Sequence, residues 1–555
     1  MGQSGLYFIF PSIQTMTACL VAREPRVLAS PVSGGSSGQT HFATLSTWSI
    51  VVCALLCCLA VLWCTRQGAG ITLDSTRYIN AAKRPLAMLG VPGWSGGRDV
   101  RYPPLLPALL SISQLWGGSP AQFARWLNPF IGAINVLLVG FILLDSGHGR
   151  HWIAIWCVAT FASASNTLML HSFVWSEPPY LLWMLSLIVT LRRYCDVEAS
   201  GRRILYASLF TSLGMLTRYA GASLLPGGVA TILLLGRGSG SLRLRHALLY
   251  ALISLALPAI WILGNLLTVG SATGRHIGLV SPFSELPQFG KTVLNWCAPE
   301  YLPQWVRICI VLWIGLTIAI CAIRAIHSRA GSSKPHATSL APLLVIFSCT
   351  YVGFLLVSRA LFDDRTPLDW RILSPLFACG IVLISLILQH LWGIARLAMV
   401  ERPLIAGLCA AVFLGHLVNS SLVARIAAAE GLGWNRVRFQ DQQLIQAVKG
   451  LSPSTILYSN DAPALAARAE RPVLPIPVTS RAQATASRRL RQFQQDARSG
   501  NAYVLYFPKK GRVVDDSLKS LRHIASLHPA VRGSKWTLYQ LLPAAVGSST
   551  APNQR

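Results

Sequence analysis

Against a mostly apolar background, a few carboxylates, arginines and tyrosines stand where hydrophobic runs begin or end. Asp74 lies in Gly70-Ile-Thr-Leu-Asp-Ser-Thr-Arg-Tyr78, just after the first long apolar run. A carboxylate held at a membrane surface can take a proton from an incoming hydroxyl or amine, and partial desolvation sharpens that role. Asp before Ser-Thr-Arg-Tyr also fits a helix N-cap, which is the plainer reading of the residue alone. Glu177, in Trp175-Ser-Glu-Pro-Pro179, opens a later apolar run. It either satisfies the free amides and dipole of a helix N-terminus, or faces the same pocket as Asp74, for orientation or for a metal.

The cations suggest an anionic ligand. Arg77 and Tyr78 follow Asp74 directly, and Arg101-Tyr102 precede Pro103-Pro104-Leu-Leu-Pro107. The prolines fix an extended entry, so Arg101 and Tyr102 are held where the run meets water. The forked donors of a guanidinium match phosphate oxygens, although Tyr and Arg are also ordinary interfacial anchors. Thr217-Arg218-Tyr219-Ala-Gly221 lies within an apolar stretch, where a charge is costly and marks function by default. Arg275 follows Gly270-Ser-Ala-Thr-Gly274, Asp363-Asp364-Arg365 comes later, and Arg371 sits in Trp370-Arg-Ile-Leu-Ser-Pro375. Two or three of these arginines converging on one point would form an anion site.

The elements that must position these groups are membrane helices. The chain has 555 residues, 53% hydrophobic and only 12% charged, with a net charge of +28. Soluble domains carry roughly 25% charged residues, so the composition excludes an ordinary soluble enzyme, a fibre and a disordered chain. Spans of about 20 apolar residues are expected near 47–66, 126–145, 150–170, 174–191, 206–217, 219–235, 246–269, 305–325, 339–358, 372–393 and 403–424. The two around 206–235 meet at Arg218-Tyr219 and form either a hairpin or a broken helix. Leu105–Trp116 is too short to span and suits a re-entrant or interfacial helix. No cleavable signal peptide is visible, so the first span is an uncleaved anchor.

Basic loops carrying Arg192, Arg193, Arg202 and Arg203, then Arg237, Arg243 and Arg245, then Arg324, Arg329 and Lys334, then Arg396 and Arg402, fall on the same side as Arg23 and Arg26. By the positive-inside rule that side is cytoplasmic. The expected organisation is an all-α polytopic membrane protein of about eleven transmembrane helices with a small C-terminal external α/β domain. Residues 1–46 form a cytoplasmic, partly disordered segment, and 47–424 the transmembrane domain with its first outside loop at 67–125. Residues 425–545 form the external domain and 546–555 a flexible tail. From 425 onward the chain holds 19 Lys and Arg against 7 Asp and Glu. Thr455–Ser459, Ala502–Phe507 and Trp536–Leu541 suit strands, and Gln440–Lys449 and Ala482–Ala497 suit helices. The 13 cysteines fall mostly inside apolar runs and show neither zinc spacing nor a disulfide framework.

With these pieces in order, the chain resembles the GT-C superfamily of polyprenyl-phosphate-sugar-dependent glycosyltransferases. Within it, the likeness is to bacterial relatives of protein mannosyltransferases and of the lipid A aminoarabinose transferase. The matching parts are Leu73-Asp74-Ser-Thr-Arg-Tyr78, Tyr102-Pro-Pro-Leu-Leu-Pro107, Ser176-Glu177-Pro178, Leu216-Thr-Arg-Tyr219-Ala-Gly221, Thr273-Gly-Arg275 and Arg371-Ile-Leu-Ser-Pro375. The likeness covers roughly 45–425. It implies that Asp74 is the catalytic acid of the first outside loop, with Glu177 as a second catalytic carboxylate. Arg77, Tyr78, Arg101, Tyr102, Arg218, Tyr219, Arg275 and Arg371 would bind the lipid phosphate or sugar. Many relatives have two adjacent acids in the first loop; here Ser75 follows Asp74, so a divalent metal stays open and would need Glu177.

The resemblance further implies a donor sugar on a polyprenyl phosphate, an acceptor lipid, glycan or protein, and transfer with inversion. The location would be the periplasmic face of a bacterial inner membrane. A transporter or flippase of lipid-linked sugars would share the spans and the arginines. It would need neither a base in the first loop nor a large external domain, and no internal two-fold repeat is visible. An O-antigen-type ligase or polymerase depends on a long late loop, whereas the strongest acid-bearing loop here is the first. No recognised nucleic-acid module accompanies the positive charge.

Overall fold

The computed structural model describes residues 36–83, 100–144, 151–275, 278, 281, 283, 285–298, 302–312, 339–362, 367–392, 401–469, 471–477, 483–508, 521 and 524–543. Contacts divide the chain into Met1–Leu45 and Ser46–Arg555, and all the candidate site residues lie in the second unit. The expected N-terminal segment up to residue 35, the tail 546–555 and the motif Asp363-Asp364-Arg365 lie outside the described residues.

Helices dominate as far as residue 430. In chain order they are α1 (Ser36–Cys64), α2 (Leu73–Ala82), α3 (Leu105–Ser111), α4 (Pro120–Leu144), α5 (His151–Ser163), α6 (Ser165–Ser172) and α7 (Glu177–Asp196). They continue with α8 (Gly201–Thr217), α9 (Leu224–Leu235), α10 (Gly240–Val269), α11 (Leu286–Cys297), α12 (Leu340–Leu361), α13 (Ser374–Trp392) and α14 (Glu401–Glu430). One large apolar cluster joins most of them, with Val61, Val136, Phe161, Leu187, Tyr250, Leu343 and Val382 deep inside it, while α2 and α3 pack with Ala124 and Val174 in a separate one.

Five of these helices are long and apolar enough to cross a membrane, or six if α5 and α6, bent by 48° at their break, count as one. The expected eleven is larger because it includes short or charge-bearing segments. Helix α7 carries Glu177, Arg192, Arg193 and Asp196, and α8 and α9 have only 17 and 12 residues. Of the expected span 305–325, only the part up to 312 is described. Leu105–Trp116 is indeed a short element, α3 followed by a 3₁₀ turn.

The junction at 206–235 is a break. Arg218 has extended backbone (φ −149°, ψ 143°), which ends α8 and starts a 3₁₀ turn over Tyr219–Ser223. Glycine is required there: a Cβ on Gly221 would lie 2.3 Å from the Gly214 carbonyl oxygen.

After α14 the chain folds into an α/β region. It comprises α15 (Gln442–Lys449), β1 (Ile456–Ser459), α16 (Ala462–Ala469), β2 (Leu474–Pro475), α17 (Gln483–Arg498), β3 (Ala502–Tyr506), β4 (Ala525–Arg532) and β5 (Thr537–Pro543). The five-stranded sheet has the order β2-β1-β3-β5-β4. The first three strands are parallel, with Ile456 opposite Ala502, and the others antiparallel, with Ala502 opposite Leu541. The parallel pairs are joined through helices, as parallel connections require. Two strands, β2 and β4, go beyond the sequence reading.

Candidate functional site

The site begins with two residues that are not part of any regular sheet. Gly70 and Ile71 form isolated parallel bridges with Phe173 and Gly433. This extended segment runs into α2, whose N-cap is Thr72. The Thr72 hydroxyl accepts from the Ser75 amide at 3.4 Å and from Trp175 Nε1 at 3.0 Å. The N-cap reading of Asp74 is therefore corrected: Thr72 does the capping, and the Asp74 carboxylate, in the first turn, is left to do something else.

Asp74 accepts from the Tyr102 hydroxyl at 2.7 Å and from Arg371 Nη2 at 2.7 Å. Its side chain keeps 28% of its exposure. Arg77 Nη1 donates to the Tyr102 hydroxyl at 3.2 Å. Tyr78 is buried, its hydroxyl 3.1 Å from Ser176 Oγ and its ring edge-on to Tyr102. Burial, together with the hydrogen bond to Asp74 and its charge, pushes the Tyr102 phenol up to about 12. Tyr102 thus stays a donor to Asp74 at pH values where an ordinary tyrosine, with a pKa near ~10, would ionise.

Glu177 is the first residue of α7, and only 2% of its side chain is exposed. Its Oε1 accepts from Arg371 Nε at 2.5 Å and pairs with Arg218, the residue at the α8 break. Its Oε2 is buried with no hydrogen-bond partner among the described residues. A buried carboxylate needs such pairing, because leaving water is expensive for an ion. The dipole reading of Glu177 is thus incomplete: two guanidiniums, and not only helix amides, hold it.

Arg371 bridges the two acids. The loop that carries it is fixed by Asp369, whose Oδ1 accepts from the amides of Arg371 (3.1 Å) and Ile372 (3.0 Å). Its guanidinium lies over the Trp175 ring, 4.5 Å from the centroid. Trp175 in turn stacks on Phe173 at 4.3 Å. Phe173 can lie there because residue 70 is glycine; a Cβ would fall 2.4 Å from Phe173 Cδ1. Burial opposes the Arg371 charge, but the Glu177 and Asp74 carboxylates outweigh it and hold its proton more tightly than usual.

Asp74, Arg77, Tyr78, Tyr102, Glu177, Arg218 and Arg371 therefore meet in one place. Tyr219 and the backbone flanking Arg101 and Arg275 come together beside it. The Tyr219 hydroxyl donates to the Val100 carbonyl at 2.6 Å, and Gly274 packs against Val100 and Arg101. Arg101 and Arg275 are exposed. The backbone joins the groups at Arg101-Tyr102 and Arg218-Tyr219. The sequence reading assigns no role to Thr72, Trp175 or Asp369. Trp175 is visible there as an aromatic beside Ser-Glu-Pro, but no spacing relates it to Thr72 or Arg371.

A guanidinium stands between the two carboxylates that the sequence reading offered to a divalent ion, supplying positive charge there. Among the described residues, no group of three or more His, Cys, Asp or Glu could hold a metal.

Following Arg371 in the chain, one face of α13 lines an apolar cavity of about 200 Å³ with Phe377, Ile381, Ile384 and Leu388, together with Trp156 and His416. The spacing of four, three and four residues places the first four on one helical stripe.

No protein-family model matches the sequence, and no curated protein matches it. Several solved structures are similar. The crystal structure of ArnT from Cupriavidus metallidurans bound to undecaprenyl phosphate is 14% identical, with a TM-score of 0.48 over 91% of this chain and 98% of that one. Archaeal oligosaccharyltransferase AglB from Archaeoglobus fulgidus is 12% identical, with a TM-score of 0.44 over 85% of this chain and 70% of that one. The S. cerevisiae protein O-mannosyltransferase Pmt1-Pmt2 complex is 13% identical, with a TM-score of 0.33 over 47% of this chain and 40% of that one. All three are GT-C glycosyltransferases.

Proposed function

We propose that the protein is a multi-pass membrane glycosyltransferase that moves a sugar from a polyprenyl-phosphate donor to a hydroxyl or amine of a lipid, glycan or protein. The observation that carries this reading is the Asp74–Arg371–Glu177–Arg218 cluster. It places an accessible carboxylate beside guanidiniums that a second, buried carboxylate holds in place. Motifs up to 297 positions apart supply it.

In the proposed reaction the acceptor enters at Asp74, the more exposed of the two acids. Asp74 takes its proton as the acceptor attacks the anomeric carbon. The bond from that carbon to the phosphate oxygen breaks on the opposite face, so the configuration inverts. Phosphate leaves as a stable anion without a general acid. Arg371, Arg218 and Arg77 neutralise the charge that develops on it, and a preorganised donor in such a site is worth on the order of 10²–10³ in rate. Glu177 fixes the two guanidiniums and takes no proton. The donor's isoprenoid tail lies along the apolar stripe of α13 that follows Arg371 in the chain. In the positive-inside orientation the site faces the periplasm of a bacterial inner membrane.

Purified protein is incubated with total lipid extract from its host, and free polyprenyl phosphate is followed for the natural chain and for Asp74→Asn. Release by the first and not by the second is the expected result. Equal release by both would remove Asp74 as the base. Binding and vesicle flipping of the donor without any release would replace the transferase reading with that of a carrier.

A further inference from the structure

The segment that leads into the Asp74 helix is held from both sides. On one side the Gly70 amide donates to the Ser172 carbonyl at 2.8 Å, and the Val174 amide to the Gly70 carbonyl at 3.0 Å. This flank continues directly into Trp175 and Glu177, so it belongs to the site. On the other side the Trp434 amide donates to the Ile71 carbonyl at 2.9 Å. Asn435 Nδ2 donates to the Ala69 carbonyl at 2.5 Å. This second flank is the strap between α14 and the α/β region.

The backbone of the strap is shaped for that contact. Gly433 has φ +55°, and a Cβ on it would fall 2.2 Å from the Ile71 carbonyl oxygen. Gly68, with φ +109°, leaves room for the Asn435 amide, which a Cβ would approach to 2.9 Å. Asn435 is buried, and its own carbonyl accepts from Gln440 Nε2 at 2.7 Å, which ties the strap to the turn preceding α15. The carbonyls of Ala69 and Ile71, just ahead of the Thr72 cap, are thus set from the far end of the chain.

We propose that the strap Gly433–Asn435 is a positioning element of the transfer reaction, which sets the helix that presents Asp74. The inference rests on the reading of Asp74 as the base. The strap acts through the backbone of 69–71, and a 1 Å misplacement of a reacting group can cost on the order of 100-fold. The loop of Arg371 is fixed by Asp369 and Arg218 is paired with Glu177, so two of the three guanidiniums have anchors away from the strap, whereas Arg77 rides on the Asp74 helix. Loosening the strap therefore lowers turnover more than it weakens donor binding.

The test is Asn435→Asp in the full chain, which keeps the side-chain shape and replaces the amide donor with an acceptor. Turnover is expected to fall about 10-fold, equivalent to ~1.4 kcal/mol, with a smaller change in KM for the polyprenyl-phosphate sugar. Placed on Asp74→Asn, the same change is expected to lower the residual rate by much less than about 10-fold, because most of its effect passes through Asp74. A merely structural role would lower that residual rate by the same factor as turnover of the natural chain, and such a result overturns the proposal. Full turnover in Asn435→Asp while Asp74→Asn is inactive sinks the strap alone; full turnover in Asp74→Asn sinks the reading beneath it. Should Asn435→Asp not fold, Gln440→Met loosens the strap from its other end. A smaller fall in turnover, again larger than the change in KM, is then expected, and unchanged turnover would count against the strap.

Discussion

Two arginines, one in each part of the molecule, do opposite things with the same guanidinium. Arg471, in the α/β region, donates to four backbone carbonyls: Val448 at 3.1 Å, Leu451 at 3.3 Å, Ser452 at 3.1 Å and Thr455 at 2.7 Å. All lie within 23 positions of it. Arg371, in the helical part, meets carboxylates 194 and 297 positions away. Carbonyls are neutral and fixed, so Arg471 is a local staple. Carboxylates are charged and can be exchanged for a phosphate, so Arg371 can bind. In the proposed reaction, partner chemistry, more than burial, separates the structural cation from the one that meets the phosphate.

That contrast can be broken from its strongest point downward. Glu177→Gln leaves Arg218 and Arg371 facing a neutral amide. Breaking a buried ion pair costs about 3–5 kcal/mol, which should appear as a large fall in the thermal unfolding temperature of the purified protein. Arg371→Lys keeps the charge but loses the fork that reaches both acids; kcat/KM is expected to drop ~100- to 1,000-fold, about 2.7–4 kcal/mol. Arg471→Met should cost stability only, about 1.5–3 kcal/mol, with turnover per folded molecule unchanged. If it lowered turnover as Arg371→Lys does, the contrast would not hold. Trp175→Phe preserves the stack under Arg371 and deletes the bond to Thr72. About 0.5–1.5 kcal/mol is at stake, seen as a loss of at most ~10-fold in kcat.

The charged members of the cluster are legible in the sequence for one reason: charge is scarce in an apolar chain. Asp74, Glu177, Arg218 and Arg371 each stand at the end of a hydrophobic run, where a charge needs a cause. Which cause is less visible. Asp74 looks like a cap because hydroxyl residues surround it, and only the structure shows that Thr72 takes that task. Trp175 and Asn435 are unreadable because their partners, Thr72, Arg371 and Ala69, lie at separations that no periodicity encodes. In the α/β region the alternating segments around Ile456, Ala502 and Thr537 reveal three strands. β2 has only two residues and β4 carries Pro529 at a register shift, so neither shows a strand pattern. The span count is hard to read for a related reason, since hydrophobicity does not tell a long crossing helix from two short ones that meet at Arg218.

The sharing of Arg371 between two acids has a consequence for charge balance during the proposed reaction. Before transfer, the donor phosphodiester carries one negative charge and Asp74 another. Afterwards the phosphate is a dianion and Asp74, having taken the acceptor's proton, is neutral. The total does not change; it moves from the acid to the leaving group. Arg371 stands between them and is released by Asp74 at the step in which the phosphate gains its second charge. Glu177, still ionised and 2% exposed, keeps hold of the same guanidinium throughout. A cation gripped from one side and handed over on the other needs little reorganisation as the bond breaks.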